Sequence, residues 1–283
     1  MGGTVAADGV TARDLGLRGP RGWAFRAVSF EAGTGSLITI EGPSGSGRTC
    51  LLLALTGRMK PTEGTATVAG AELPRRMAAV RRVSALAHVP GVTDLDPALT
   101  VAEHLSERAL LQRRFGDSLR ALLRPRQEGR AARRERIESA LTAAGLDLES
   151  LPKGARTAVR DLERAEALRL SLALALIARP RVLGVDDTDL KLSDVERVAI
   201  WELLRSIAAS GTTVLAVCSE APDGTVRVST AGTAEEAVDS GTDEGTDRTD
   251  DDSDTETESD TESDENGTDG KEAADAIAQA GRA

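Results

Sequence analysis

The stretch Gly42-Pro43-Ser44-Gly45-Ser46-Gly47-Arg48-Thr49 constrains this chain more than any other. It follows the apolar run Leu37-Ile38-Thr39-Ile40 and precedes Cys50-Leu51-Leu52-Leu53-Ala54-Leu55, so it reads as strand, glycine loop, helix. Glycines at the first, fourth and sixth places let the backbone turn with positive φ and aim consecutive N–H groups at a polyphosphate. The helix that follows adds its positive end. Candidate contacts are Gly42, Ser44, Gly45, Ser46, Gly47, Arg48, Thr49 and Cys50, with the Thr49 hydroxyl placed to reach a magnesium ion. One position departs from the phosphate-loop pattern, which asks for Lys where this chain has Arg48. A guanidinium keeps the charge, but its wide planar fork does not replace a compact ammonium in a loop shaped around one.

Charge divides the 283 residues in two. From Ala221 onward there are 20 acidic and 4 basic residues in a Ser, Thr and Gly background, leaving 26 acidic and 31 basic before it. The formal net charge of -11 therefore belongs to residues 221–283, read as a disordered acidic low-complexity tail with a short helix over Glu272 to Ala280. Residues 1–220 are rich in Ala, Leu and Val and long enough to bury a substantial core. The two cysteines, Cys50 and Cys218, fall in apolar segments and read as reduced core residues. No N-terminal apolar segment of signal-peptide type is visible, and the longest apolar run, Leu170 to Ala178, is too short to cross a bilayer. The expectation is a cytoplasmic protein that meets a membrane only through a partner.

Along the chain, Val10 to Leu17 and Ala24 to Phe30 read as strands around a turn-rich segment, with Trp23 at the turn. An aromatic there is a candidate to stack on a purine ring, although a lone Trp beside a strand also packs. Thr65 to Val68 and Val83 to Val89 read as further strands. Helical patterning follows from Thr100 to about Ala165, and Leu105 to Ile137 holds ten arginines against four acids, a basic and largely solvated surface. A helix over Arg134 to Ala144 ends at Gly145, and a longer one is expected over Leu162 to Ala178. Val182-Leu183-Gly184-Val185 then delivers Asp186 and Asp187 to the C-terminal edge of a strand, where open parallel sheets bind ligands. Asp186 is the candidate magnesium ligand, acting through water. A helix over Asp194 to Ala209 and a strand over Thr213 to Val217 complete the plan. The fold class is α/β: a phosphate-loop NTPase core with a parallel sheet, a small antiparallel β subdomain and a helical insert over about residues 92–165. His88 and His104 have no Cys or His at ligand spacing and read as structural.

From Val10 to about Ser219 the chain resembles the ATP-binding cassette (ABC) transporter ATPase family. The resemblance is carried by Gly42 to Thr49, Gly57-Arg58-Met59-Lys60-Pro61-Thr62-Glu63-Gly64-Thr65, Leu99-Thr100-Val101 and Ala178-Arg179-Pro180-Arg181-Val182-Leu183, in that order. It implies binding of ATP and Mg, and partnership with a membrane permease subunit, a second ABC ATPase subunit, or both, as a homo- or heterodimer. No nucleic acid is expected, because no reading helix or aromatic platform accompanies the arginines.

Carried over residue by residue, the resemblance implies several departures. The family's glutamine after the second core strand falls on Gly91, and its signature Leu-Ser-Gly-Gly-Gln on Leu162-Glu163-Arg164-Ala165-Glu166. The glutamate that polarises water becomes Asp187, the Pro-Thr after it Thr188-Asp189, the aspartate of the joining loop Ser193, and the switch histidine Ser219. A carboxylate at Glu163 repels a γ-phosphate, and Asp187, the candidate catalytic base that the resemblance implies, is one methylene short. The expectation is an ATP-binding subunit of a transport system with weak or lost hydrolysis. The alternatives are a nucleotide-independent scaffold and an active ATPase that uses Arg48 and Asp187.

Overall fold

The computed structural model describes residues 9–20, 22–116 and 126–230. Two antiparallel strands open the chain, β1 (Val10–Gly19) and β2 (Gly22–Ala32), followed by β3 (Leu37–Glu41) and α1 (Arg48–Leu55). Next come β4 (Glu63–Val68), β5 (Ala71–Leu73), α2 (Met77–Val83) and β6 (Ser84–Leu86). The insert contains α3 (Val101–Gly116), α4 (Arg126–Ala143) and two 3₁₀ turns at Gly154–Arg156 and Val159–Asp161. The chain then runs through α5 (Arg164–Leu176), β7 (Val182–Val185), α6 (Asp194–Ala209), β8 (Thr213–Val217) and β9 (Val226–Ser229).

Two sheets organise these elements. One is antiparallel in the order β2-β1-β4-β5, and the other is parallel in the order β6-β7-β8-β3-β9. The inner strands β3, β7 and β8 are buried on both faces because both faces are covered. In β8, Val214 and Ala216 pack with α5 and α6, whereas Leu215 and Val217 face α1 and the antiparallel subdomain. Gly184 in β7 supports this second layer: a Cβ there would stand 2.7 Å from the Leu86 side chain and 3.1 Å from that of Leu52.

Several expectations are corrected. The strand placed over Val83 to Val89 is shorter, since Val83 ends α2 and the strand is Ser84–Leu86. The helix placed over Leu162 to Ala178 is Arg164–Leu176, and the one placed over Arg134 to Ala144 starts earlier, at Arg126. The basic helical surface has a packed side, because Leu105, Ala109, Ala140 and Leu141 belong to the main core.

The boundary at Ala221 is the largest correction. Val226–Ser229 pairs in parallel with Ile38 to Glu41, Thr230 N donates to Glu41 O at 2.9 Å, and Ala221, Val228 and Thr230 are buried. A four-residue strand behind Pro222-Asp223-Gly224 carries too little hydrophobic periodicity to stand out from the acidic composition around it. The rest of the acidic segment, including the expected helix at Glu272 to Ala280, lies outside the described residues.

Candidate functional site

The loop between β3 and α1 has the backbone that its glycines allow. Gly42, Gly45 and Gly47 have φ of 151°, 83° and 81°. At Gly47 the absence of a side chain is also a packing requirement, because a Cβ would lie 1.9 Å from the Ala24 carbonyl oxygen. This fit sets Ala24, near the start of β2, against the loop, while the ring of the preceding Trp23 lies over Gly16 of β1. The Trp23 ring is half-buried, with the Arg26 guanidinium 5.0 Å and the Arg18 guanidinium 5.6 Å from its centroid. Both are cation–π distances.

Within the loop the side chains divide. Ser44 is exposed, whereas Ser46 is buried with its Oγ 2.5 Å from Thr230 Oγ1, so that hydroxyl serves the link to β9. Arg48 opens α1, and its Nη1 donates to the Cys218 carbonyl at 2.7 Å, at the end of β8. Its charge is thereby directed along the sheet edge. Thr49 Oγ1 donates to Asp186 Oδ2 at 2.6 Å, and Asp187 N donates to Asp186 Oδ1 at 2.9 Å. Cys50 is half-buried against α1's neighbours, and burial and the Asp186 charge both push its thiol up.

Asp186 is 2% exposed. Burial pushes its carboxyl above the usual carboxylate range; the bonds from Thr49 and Asp187 N and the Arg48 charge pull it back, and the Asp187 charge opposes them. A hydroxyl and a carboxylate side by side suit magnesium, a hard cation that takes oxygen ligands. Among the described residues no three His, Cys, Asp or Glu side chains converge, so a metal here would draw its remaining ligands from phosphate and water. Asp187 has φ 48°, in the left-handed region, and is half-buried beside Asp186.

The structure adds two residues to this edge that sequence reasoning set aside or missed. His88 O accepts from Asp186 N at 2.7 Å, and its half-buried imidazole is pushed down by burial and by Arg164, against the raising charges of Asp187, Asp186 and Asp94. Its position at the end of β6, in register with β7, was the available signal. Cys218 contributes a backbone carbonyl, and its thiol, pushed up to about 12 mainly by burial, is inert.

The positions expected to depart from the family pattern are engaged within the chain. Glu163 is the N-cap of α5 in a capping box with Glu166, whose Oε2 accepts from Glu163 N at 2.9 Å. Arg164 Nε donates to Leu190 O at 3.4 Å. Thr188 Oγ1 donates to Val217 O at 2.8 Å, and Asp189 Oδ2 accepts from Ser219 N at 2.8 Å. Ser193 caps α6 reciprocally with Glu196. Gly91 has φ 75° and donates its N–H to Asp94 Oδ2 at 2.8 Å.

Comparison with known proteins agrees with this architecture. The family model for ABC transporters matches residues 25–189, more than half of the chain. The chain belongs to the ABC transporter family. It carries that family's ATP-binding domain. It is 34% identical over 188 residues to a Nod factor export ATP-binding protein I of Burkholderia orbicola, covering 66% of this chain and 55% of that protein. A protein of the same name from Cupriavidus pinatubonensis is 33% identical over 209 residues, covering 74% of this chain and 54% of that one. The chain thus spans about half the length of the curated relatives it matches. Its fold is that of a dimeric ATP-binding cassette solved in a post-hydrolysis state with ADP and Pi, at a TM-score of 0.58 and 22% identity over 75% of this chain and 88% of that one. The cbiO1 protein of Clostridium perfringens, part of an ABC transporter complex, gives a TM-score of 0.60 at 19% identity over 75% of this chain and 79% of that one. Among the described residues no helix is long and apolar enough to cross a membrane.

Proposed function

We propose that this chain is the ATP-binding subunit of an ABC-type transport system, holding Mg-ATP at its phosphate loop while hydrolysing it slowly or not at all. The observation that carries the reading is the contrast between two edges. At one, Thr49 Oγ1 and Asp186 Oδ2 lie 2.6 Å apart beside a loop whose glycines keep the required backbone. At the other, Glu163 and Glu166 hold the end of α5 that would face a partner's nucleotide.

In this reading the amides of Gly45, Ser46, Gly47, Arg48, Thr49 and Cys50 cradle phosphate, Thr49 and Asp186 hold magnesium, and Trp23 stacks on the base. Magnesium, once bound, neutralises charge between phosphate oxygens. Asp187 falls short of the family's glutamate by a methylene, a retreat of about 1 Å that costs on the order of a hundredfold in rate. Ser219 cannot take the role of a histidine, since its hydroxyl neither reaches as far nor carries charge. The chain then works with a membrane permease subunit, a second ATPase subunit, or both, at the cytoplasmic face. The relatives named for Nod factor export favour export as the direction.

Equilibrium binding of a fluorescent ATP analogue with and without magnesium, followed by phosphate release on the same sample, tests the reading. Magnesium-dependent binding without release is the expected result. Release abolished by Asp187→Asn would restore an active ATPase built on Arg48 and Asp187. The bond from Arg48 to the Cys218 carbonyl favours one further reading, a scaffold independent of nucleotide, which predicts no binding in either condition.

A further inference from the structure

At the edge of the parallel sheet opposite the phosphate loop, where β7 and β8 begin, lies a pocket of about 320 Å³. That falls in the range of small-ligand sites, roughly 300–1,000 Å³. Three arginines line it, Arg136 from α4 and Arg179 and Arg181 from the connection between α5 and β7, together with Ser139, Ser210 and Thr212. None of the described residues that line it is acidic. Arg136, Ser139 and Ala143 recur at helical spacing, so one face of α4 supplies one wall.

The other wall is fixed at its root. Pro180 is buried between the two exposed arginines. Arg181 N donates to Val83 O at 2.8 Å, and Arg181 O accepts from Thr213 N at 2.9 Å, so its backbone is held from both sides. Arg179 has φ 50°, a left-handed conformation that Gly or Asn adopts at less cost after a helix end. A large side chain kept in that conformation points to a role for the side chain. A cation near a helix C-terminus is favourable by itself, and α5 and α6 both end here. The last carbonyls of these helices are met in other ways, however. Leu176 O accepts from Arg179 N, Ala175 O from Ala178 N, Ala208 O from Gly211 N, and Ile207 O from Ser210 Oγ. Helix ends alone therefore do not account for three guanidiniums around one pocket.

We infer that this pocket binds a phosphomonoester, with Arg136, Arg179 and Arg181 as the residues that select the phosphate. Guanidiniums match phosphate oxygens in bidentate geometry, so the selection is one of shape as well as of charge. Serine and threonine hydroxyls at the same pocket add donors for the remaining oxygens. The volume exceeds what a bare orthophosphate fills, and Ala143, Leu176 and Pro180 supply apolar surface for the organic group of an ester. A soluble phosphate ester and the headgroup of a phosphatidic acid present this same chemistry. The site is separate from the phosphate loop, since Arg181 and Thr212 precede β7 and β8 while Asp186 and Cys218 follow them. The inference goes beyond the nucleotide reading and does not depend on it.

The test titrates the full chain calorimetrically with phenyl phosphate, with and without a saturating ATP analogue and magnesium, so that anion taken by the phosphate loop is separated. Saturable binding that survives the analogue is the expected result. Arg136→Gln and Arg179→Glu should each weaken it by about tenfold or more, in line with one charge-assisted hydrogen bond lost, while ATP-analogue affinity and melting temperature hold. Arg179 is exposed, which keeps the test decisive if Arg136→Gln fails to fold. Inorganic phosphate should bind several-fold more weakly than phenyl phosphate. Sedimentation with phosphatidylcholine vesicles, with and without phosphatidic acid, separates the two sources. Pelleting only with phosphatidic acid, reversed by phenyl phosphate, assigns the site to the lipid headgroup, and phenyl phosphate binding without pelleting assigns it to a soluble ester. Binding in neither assay overturns the proposal. Equal affinity for inorganic phosphate overturns it too, as does phenyl phosphate binding that both variants leave unchanged. A chain that binds no ATP analogue yet holds phenyl phosphate through Arg179 fails the nucleotide reading and keeps this one.

Discussion

The phosphate-loop edge and the α5 edge of this molecule begin from similar materials, a loop running into a helix N-terminus, and end in opposite conditions. At the loop, Gly45 and Gly47 keep positive φ, and α1 begins at Arg48 without a side-chain cap. Its first N–H groups are free to meet an external anion. At α5 the capping box of Glu163 and Glu166 places two carboxylates at the helix start, with Glu166 Oε2 accepting from Glu163 N. The difference teaches that a helix end becomes a binding site only if the chain leaves it unsatisfied. A self-supplied carboxylate stabilises the helix and closes the site in the same act.

The most severe way to break the comparison is to damage the open edge. Gly47→Ala places a Cβ 1.9 Å from the Ala24 carbonyl at a φ of 81°. Left-handed strain alone costs about 1–3 kcal/mol, and the backbone clash adds to it. A melting temperature lower by about 5 °C or more, with loss of ATP-analogue binding, is the expected result. Gly45→Ala, where nothing lies within 4 Å of the added Cβ, should show the strain without the clash and fall by less.

A smaller change sharpens the same edge. In Arg48→Lys the fork that donates to Cys218 O is removed, and a compact ammonium becomes available to the loop. ATP-analogue affinity is expected to rise by about tenfold, in line with one charge-assisted hydrogen bond gained. An unchanged or weaker affinity would show that Arg48 already serves the phosphates despite its bond to β8.

At the closed edge, Glu166→Ala removes the carboxylate that accepts from Glu163 N. A capping interaction of this kind contributes about 1 kcal/mol. The melting temperature should fall by about 2–4 °C while ATP-analogue affinity stays constant. A simultaneous loss of affinity would mean that the two edges are coupled within one chain.

The legibility of these features in the sequence follows their range. The glycine loop, the apolar runs of β3, β7 and β8 and the place of Asp186 at a strand end were readable because each is local. β9 was not, since four residues in acidic surroundings acquire meaning only when Val228 is seen buried against β3. The fate of Arg48 was likewise hidden, because its acceptor lies 170 residues away and is a backbone carbonyl, on which residue identity has no bearing. Ser193 was legible by another rule. The pattern Ser193-x-x-Glu196 is a capping sequence, and reading Ser193 only as a lost family residue concealed the structural work it does.

The smallest expected effect separates Asp186 as a metal ligand from Asp186 as a structural residue. Burial raises its folded-state pKa above the unfolded value, so the folded chain holds a proton that the unfolded chain releases in the window between the two. Stability from this group is therefore present below the unfolded pKa and is lost as pH rises through the folded one. At neutral pH without divalent cation the ionised carboxyl is a net cost, and Asp186→Asn should melt higher than the parent chain. Acidification through the window should shrink that advantage toward zero. Added magnesium and ATP analogue should reverse it, because only the carboxylate gains a cation to offset its burial. A parent chain that melts higher than Asp186→Asn at neutral pH in chelator would show instead that the hydrogen bonds from Thr49 and Asp187 outweigh desolvation. The open edge would then be held ready by its own bonds before any ligand arrives.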